Sequence, residues 1–279
     1  MPVINTNVAS LNAQNALKTN ERSMNTTMQQ LSTGSRINRA QDDAAGLAIG
    51  QNMTSQVRGL DMAVRNLNDG VNLLQTAEGA MVEQSNMLQR MRELAVQSAS
   101  GTYSDTQRSY LQVEFTALAS QIDKIGSETT WNGMTVLTGT TGGATGGTYD
   151  FQAGKDSGQK ISVAIGSMTV SGLALSATGT IGVGTATSAS ASIATLDSAI
   201  NLVNNQRATI GASINRMTYT ADNLSNISAN TKGSRSTIMD TDYATASTQL
   251  SKNQIVQQAA TAMLAQANQQ PQSVLSLLK

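Results

Sequence analysis

Apolar residues recur at helical spacing at both ends of the chain. Within residues 1–33 most of them are three, four or seven positions apart, so they share one face of a helix: Ile4, Val8, Leu11, Met24, Met28 and Leu31. Residues 240–278 carry a second set: Leu250, Ile255, Ala259, Met263, Val274, Leu275, Leu277 and Leu278. Few other apolar residues are near these two segments in sequence, so local packing cannot bury the two apolar faces. The pattern predicts terminal helices that pair with each other or with copies of themselves.

The middle of the chain carries a longer repeat with steps of four and three. Its members predict one helix from about 44 to 98 with a coiled-coil face: Met53, Val57, Leu60, Val64, Leu67, Val71 and Leu74. A matching stripe follows later in the chain: Ile200, Val203, Ile210, Ile214 and Met217. Because the two stripes have the same period, we expect these helices to pair antiparallel as the core of a rod.

Breaks in the periodicity locate the connections between these helices. Gly34 is expected to end the first helix in a left-handed conformation, and Asn132-Gly133 is a hairpin turn signal. Residues 138–192 are rich in Gly, Ser, Thr and Ala, which favours small strands and loops. Further helix breaks are expected near Gly233 and at Pro271.

The predicted fold class is mainly α, a nested antiparallel bundle of long, coiled-coil-like helices. The terminal helices form an inner domain, and a small β-rich tip joins the middle helices. We expect residues 1–42 and 239–279 to be the two halves of the inner core domain. Residues 43–137 and 193–238 are the two parts of a rod domain, and 138–192 is a short variable region of strands and loops.

Composition excludes most catalytic chemistry. The 279 residues include neither Cys nor His, so the usual general base, the thiol nucleophile and the thiolate and imidazole metal ligands are missing, and we expect neither an enzyme nor a cofactor. Lys plus Arg and Asp plus Glu are both 18, which gives no basic field for nucleic acid. No apolar run reaches the roughly 18 residues of a membrane span, and the N-terminus has no secretory signal pattern.

Four long segments resemble bacterial flagellins, the subunits of the flagellar filament. They are VINTNVASLNAQNAL (3–17), LSTGSRINRAQDDAAGLAI (31–49), LQRMRELAVQSA (88–99) and the whole C-terminal stretch 240–279. The resemblance covers about residues 1–140 and 190–279 in the right order. Since many flagellins insert large outer domains in the middle, the chain resembles a short form that lacks them.

The resemblance implies a structural subunit that polymerises into the extracellular flagellar filament used for swimming. It implies export through the flagellar type III apparatus, which fits the missing secretory signal. The implied partners are other flagellin subunits, an export chaperone, the filament cap and the hook-junction proteins. Neither nucleic-acid binding nor membrane insertion is expected.

The resemblance also maps a Toll-like receptor 5 motif onto Gln89, Arg90, Leu94, Gln97 and Glu114. Arg90, Leu94 and Gln97 are four and three positions apart, so they are expected on one helix face, with Leu94 as an apolar anchor. The same face would suit packing against a neighbouring subunit, which we expect to be its primary role.

Two alternatives stay open at this stage. A hook–filament junction protein would have similar ends but would not form long filaments by itself. A flagellin-like adhesin would lose its binding when residues 138–192 are deleted, and a secreted enzyme on the same frame is disfavoured by the absence of His.

Overall fold

The computed structural model describes residues 6–141, 144–145, 147–175 and 181–277, without the side chains of 141, 144, 145 and 270–277. This described part contains five helices: α1 Val8–Thr33, α2 Ala44–Ala99, α3 Asp105–Glu128, α4 Ala186–Met239 and α5 Tyr243–Leu277. It also contains six short strands: β1 Thr130–Trp131, β2 Met134–Thr135, β3 Thr140–Thr141, β4 Ala144–Thr145, β5 Thr148–Gln152 and β6 Lys160–Ala164. The mainly helical class with small antiparallel sheets is confirmed.

The strands form three antiparallel pairs, each joining neighbours in sequence. Asn132 and Gly133 make the β1–β2 turn with φ of 48° and 77°, the positive values that the favoured two-residue hairpin turn needs. The hairpin prediction at these residues is therefore confirmed. The longest pair is β5–β6, in which Thr148 lies opposite Ala164 and Gln152 opposite Lys160.

Local side-chain chemistry sets the helix ends. Asn7 accepts the amide of Ser10 at the start of α1, and Gly34 ends that helix with φ of 69°, as the sequence predicts. Ser104 and Gln107 form a reciprocal capping box at the start of α3. These caps satisfy backbone groups that the first and last turns would otherwise leave without a partner.

Helices α4 and α5 extend beyond their predicted limits. α4 begins at Ala186, inside the segment expected to be strands and loops, because Thr185 and Ser188 cap it reciprocally. It also passes Gly233, where a helical glycine costs only about 1 kcal/mol relative to Ala. The break expected at Pro271 is likewise absent, since the backbone of α5 is helical through Leu277.

The chain divides into two compact units. One contains Met1–Val57 and Ala229–Lys279, and the other contains Arg58–Ser228. They are called the terminal unit and the central unit below.

The central unit is built on α2, with α3 and α4 antiparallel to it. Arg92 pairs with Asp197 at 2.6 Å, while the Ser228 hydroxyl donates to Asp61 at 2.7 Å, so sequence order along α2 runs opposite to that along α4. Six of the apolar residues expected in the rod core lie in its buried cluster: Leu60, Leu67, Leu74, Val203, Ile210 and Met217. Val64, Val71, Ile200 and Ile214 pack against that cluster, and buried Val57 and half-buried Met53 belong to the terminal unit.

Gln84 fixes the position of α3 and of the loop at Met168. Its fully buried side chain donates to the carbonyl of Ile122 at 3.2 Å and to that of Met168 at 2.9 Å. The loop passes close to α3 at Gly126, where an added Cβ would lie 2.8 Å from the Met168 carbonyl oxygen. A polar side chain inside the core thus links three segments of the central unit.

The β5–β6 hairpin packs on α2 where that helix has glycines. A Cβ at Gly70 would lie 2.8 Å from the ring of Phe151, and one at Gly59 would lie 3.1 Å from the Cβ of Lys155. At Gly79, by contrast, an added Cβ would meet nothing within 4 Å. The first two glycines therefore allow close approach of the hairpin, whereas the third has no such role.

This contrast predicts opposite effects for one substitution at two sites in α2. Gly70→Ala should lower the free energy of unfolding by about 1–3 kcal/mol because Phe151 must shift. Gly79→Ala, the matched control, should raise it by about 0.5–1 kcal/mol through helix propensity. Urea unfolding followed by circular dichroism measures both, and equal effects at the two sites would contradict the packing role of Gly70.

In the terminal unit, the segment that follows α1 pairs with the segment that precedes α5. The amide of Arg36 donates to the Met239 carbonyl at 2.6 Å, and the amide of Thr241 donates to the Gly34 carbonyl at 3.0 Å. Asp242 then caps α5 through Ala244 and Thr245. Its pKa is lowered by the hydrogen bond from the Thr245 hydroxyl and by the two backbone amides. This pairing joins the end of α1 to the start of α5.

Candidate assembly surface of the terminal helices

Helices α1 and α5 pair antiparallel along most of their described length. The Asn7 amide donates to the Ala267 carbonyl at 2.7 Å, and the Asn20 amide donates to the Asn253 carbonyl at 2.8 Å. The Ser10 hydroxyl donates to the Asn268 side chain at 2.9 Å. The two terminal segments, more than 230 residues apart in sequence, are therefore joined by polar contacts.

The residues between α1 and α5 are mostly small or polar, and the larger apolar ones among them are only half-buried. The less exposed positions are spaced by three and four residues, and we call them the seam: Asn7, Ser10, Ala13, Leu17, Asn20, Met24, Thr27 and Leu31 in α1, with Ala246, Leu250, Asn253, Gln257, Ala260, Leu264 and Ala267 in α5. The described residues of the two helices that are buried are Ser10, Thr27, Ala246 and Asn253. No large apolar side chain is buried at this seam.

Six other large apolar side chains of α1 and α5 lie outside the seam and are more exposed. The exposed fraction is 53% for Val8, 49% for Leu11, 53% for Met28, 66% for Ile255, 41% for Val256 and 66% for Met263. We call these six residues the outer apolar set. Their exposure identifies the part of the terminal unit that is left to contact another molecule.

The structure divides the two predicted apolar stripes between the two arrangements expected for them. Met24, Leu31 and Leu250 are half-buried at the seam and so take part in the pairing of α1 with α5. Val8, Leu11, Met28, Ile255 and Met263 face away from the seam, so contact with copies of the chain stays the prediction for them. The physical reason is that Asn and Ser also occupy the seam, where they make hydrogen bonds across the pair. Ile4 and Leu278 lie outside the described residues, and only the backbone of α5 is described at Val274, Leu275 and Leu277.

The seam also explains why Pro271 does not break α5. Proline has no amide hydrogen, so the carbonyl four residues earlier, that of Ala267, loses its helical partner. The Asn7 side chain donates to that carbonyl at 2.7 Å. An interhelical hydrogen bond thus replaces the one that proline removes.

Asn253 lies at the seam, and the nitrogen of its side-chain amide has no hydrogen-bond acceptor. It is 4% exposed, and its Oδ1 accepts from Gln249 at 3.1 Å, but its Nδ2 has no hydrogen-bond partner. A buried donor without a partner costs about 1–3 kcal/mol. The residue at the middle of the seam therefore weakens the pairing of α1 with α5.

Replacing this residue should strengthen the pair. We expect Asn253→Leu to stabilise α1 and α5 by about 1–3 kcal/mol, because it removes an unpartnered donor and buries apolar surface. Slower amide hydrogen exchange in both helices is the expected result, with Gln254→Leu at an exposed neighbouring position as the control. Unchanged or faster exchange in Asn253→Leu would contradict this role.

The residues of the receptor motif lie in the central unit and do not share one exposed face. Arg90 pairs with Glu114 of α3 at 2.9 Å and with Glu93 at 3.0 Å, and these hydrogen bonds, led by that of Glu114, raise its pKa. Gln97 donates to the Tyr103 hydroxyl at 3.0 Å. The Leu94 side chain is only 1% exposed, so the expectation of an apolar anchor there is wrong.

Leu94 faces inward because it belongs to the buried cluster of the central unit. What remains exposed of the motif is polar: Gln89, Arg90, Gln97 and Glu114. The spacing of these residues predicts that they share a face of α2, but it does not show which of them are buried. Burial depends on the segments that pack against α2, and the local pattern does not specify those segments.

Two family models match the chain, one at each end. The "Bacterial flagellin N-terminal helical region" matches residues 4–141, and the "Bacterial flagellin C-terminal helical region" matches residues 193–278. The chain belongs to the bacterial flagellin family. The resemblance drawn from the four sequence segments is thereby confirmed, and the matches leave out most of the Gly-, Ser- and Thr-rich middle.

Individual relatives resemble this flagellin over its whole length. It is 41% identical to the flagellar filament 33 kDa core protein of Treponema phagedenis, over 99% of this chain and all of that protein. It is 42% identical to the flagellin of Bacillus subtilis (strain 168), over 99% of each. No large domain separates it in length from the Treponema protein.

Solved structures show the same fold. The crystal structure of Bacillus cereus flagellin matches with a TM-score of 0.50 and 33% identity, over 57% of this flagellin and 88% of that chain. A putative flagellar hook-associated protein from Vibrio parahaemolyticus matches with a TM-score of 0.58 over 71% of this chain, at 15% identity. The second likeness is one of fold alone.

The part of this flagellin that the structure describes contains no group of three or more Asp, Glu, His or Cys that could hold a metal ion. None of its described helices is both long and apolar enough to span a bilayer.

Proposed function

We propose that this chain is a structural subunit of the extracellular flagellar filament that drives swimming, and that the outer apolar set contacts other copies of the chain. The observation that carries the proposal is the division of α1 and α5 into a polar seam and an exposed apolar set. A relative of equal length is named a flagellar filament core protein, which supports a second copy as the occupant.

The energetics favour a polymer over a stable single pair. Full burial of a large apolar side chain contributes about 1.5–3 kcal/mol, and these six are already partly covered. Association costs about 4–15 kcal/mol in lost freedom, so contacts with several neighbours are needed to exceed it. A subunit that presents apolar residues on two helices can contact more than one neighbour, and such contacts repeat along an open helical assembly.

The finer partners and domain roles extend this proposal. We assign residues 1–42 and 239–279 of the terminal unit to the inner core domain. The rod domain then contains the central unit together with residues 43–57 and 229–238 of the terminal unit. Export through the flagellar type III apparatus, with an export chaperone, a filament cap and hook-junction proteins, follows the family resemblance. Toll-like receptor 5 would meet the exposed residues Gln89, Arg90, Gln97 and Glu114 rather than Leu94.

Seeded polymerisation of the purified full chain, followed by electron microscopy, tests the proposal. We expect long filaments from the full chain and none from a truncation that lacks residues 240–279. Short rings or persistent monomers from the intact full chain would instead favour a hook–filament junction protein. Normal filaments from the truncation would show that α5 is not needed for assembly.

A further inference from the structure

The methionines whose side chains the structure describes fall into three groups by exposure, and Met24, Met53, Met87 and Met239 form the half-buried one. Met81, Met91, Met168 and Met217 are fully buried in the central unit. Met28, Met62, Met134 and Met263 expose 53%, 46%, 38% and 66% of their surface. Because oxidation of a thioether depends on access of the oxidant to sulfur, the exposed group should react first.

Two of the exposed methionines belong to the outer apolar set of the terminal helices. Met28 lies in the last two turns of α1, and Met263 lies in α5 one turn before Ala267. The Ala267 carbonyl accepts from Asn7, so Met263 is at the same level of the helix pair as Val8 and Leu11. Met62 and Met134 belong to the central unit, which makes them internal controls.

We propose that Met28 and Met263 are oxidation sites whose conversion to the sulfoxide opposes polymerisation of the chain. This inference rests on the proposed function, since it needs these side chains to contact other copies. It concerns the monomer, in which both side chains are open to solvent. Assembly would cover both sulfur atoms and protect them.

The oxidant is a two-electron oxidant of the peroxide class. The thioether sulfur attacks one oxygen of hydrogen peroxide, the O–O bond breaks, and the second oxygen leaves as water once it has taken up the proton of the transferred oxygen. The sulfur is thereby oxidised to the sulfoxide and the peroxide is reduced. A sulfoxide reductase that uses a thiol as electron donor reverses the change.

Methionine sulfoxide is less compatible with apolar surroundings than methionine is. A thioether is apolar and adapts to irregular packing, whereas a sulfoxide carries an oxygen that is a hydrogen-bond acceptor. Apolar neighbours cannot donate to that oxygen, so burial between copies of the chain becomes unfavourable. Other members of the outer set, such as Val8 and Ile255, are apolar and offer no donor.

The test compares the parent chain with a double variant, Met28→Leu/Met263→Leu. Each monomer is treated with hydrogen peroxide, the oxidant is removed, and sulfoxide is assigned to residues by peptide mass spectrometry. Seeded polymerisation then gives the critical concentration, meaning the monomer concentration that remains in equilibrium with filament. Leucine has a similar volume and helix propensity, and both sites are exposed, so the variant should fold as the parent does.

In the parent chain we expect sulfoxide at Met28 and Met263 before any appears at Met81 or Met217. The critical concentration should rise at least about tenfold, which corresponds to about 1.4 kcal/mol, and methionine sulfoxide reductase should restore it. The double variant should still take up oxygen at Met62 and Met134 yet polymerise equally well before and after treatment.

Two results would overturn the inference while leaving the proposed function intact. One is an unchanged critical concentration in a parent chain that carries sulfoxide at both sites. The other is an equal loss of polymerisation in the oxidised double variant, which would place the effect at other methionines. If neither protein polymerises before oxidation, the proposed function fails and the inference fails with it.

Discussion

The double variant Leu11→Asn/Ile255→Asn is expected to remain monomeric at concentrations where the parent chain forms filaments. Leu11 and Ile255 are 49% and 66% exposed and lie outside the seam, so the pairing of α1 with α5 does not depend on them. Each asparagine would place an amide without a partner in an intersubunit contact, at a cost of about 1–3 kcal/mol. Together they should raise the critical concentration at least about thirtyfold, which sedimentation of the polymer measures.

The matched control is Gln14→Asn/Gln254→Asn, which introduces the same residue at exposed polar positions of the same two helices. It should polymerise close to the parent concentration. Thermal unfolding of the central unit should be the same in all three proteins, since none of the changes touches it. If the Leu11/Ile255 variant polymerises as the parent does, the outer apolar set is not an assembly surface.

In the dilute monomer, the amides of α1 and α5 are expected to exchange at least about a thousandfold faster than those of the α2 core. This ratio corresponds to about 4 kcal/mol of opening free energy. The buried residues of the terminal pair are Ser10, Thr27, Ala246 and Asn253, none of them a large apolar residue. In α2, by contrast, Leu67, Leu74, Met81 and Leu88 are fully buried. A helix that buries little apolar surface is only marginally stable in water.

Hydrogen–deuterium exchange with peptide mass spectrometry measures the exchange rate of each helix separately. The same measurement on the filament shows how assembly changes each rate. Exchange in α1 and α5 should slow markedly on polymerisation, while the core of α2 should change little. Comparable protection of the terminal and central helices in the monomer would mean that the polar seam is sufficient to stabilise the pair without neighbours.

The sequence predicted the rod core well because that pattern is local. Leu60, Leu67 and Leu74 recur every seven residues, and one helix face explains all of them. The cap at Gly34 and the turn at Asn132-Gly133 were also predictable, since their backbone conformations favour those residue types. In each of these cases the residues that determine the structure are close together in sequence.

The terminal helices were harder to interpret because their apolar and seam positions both follow helical spacing. Periodicity shows that Val8 and Leu11 share a face, but it does not show what the face contacts. The seam is recognisable only from the bonds across the pair, in which the side chains of Asn7 and Asn20 donate to the backbone carbonyls of Ala267 and Asn253. Polar residues in sequence do not reveal that their partners are more than 230 positions away.

Tertiary context also decided where helices continue and which residues are accessible. Pro271 remains within α5 because Asn7 supplies the missing donor to Ala267. Leu94 is buried because α2 has neighbours on the side where the motif placed it, so only the polar residues of that motif stay exposed. Such effects depend on contacts between distant segments, which one sequence does not specify.

The central claim is that the outer apolar set becomes covered when copies of this chain assemble, and thiol labelling measures that directly. The chain has no cysteine, so Ile255→Cys or Met263→Cys introduces a single reactive thiol, with Ser157→Cys in an exposed loop of the central unit as the reference. We expect a maleimide to label Ile255→Cys and Met263→Cys quickly in the monomer and at least about tenfold more slowly in the filament. Equal labelling rates in monomer and filament at both positions would contradict it.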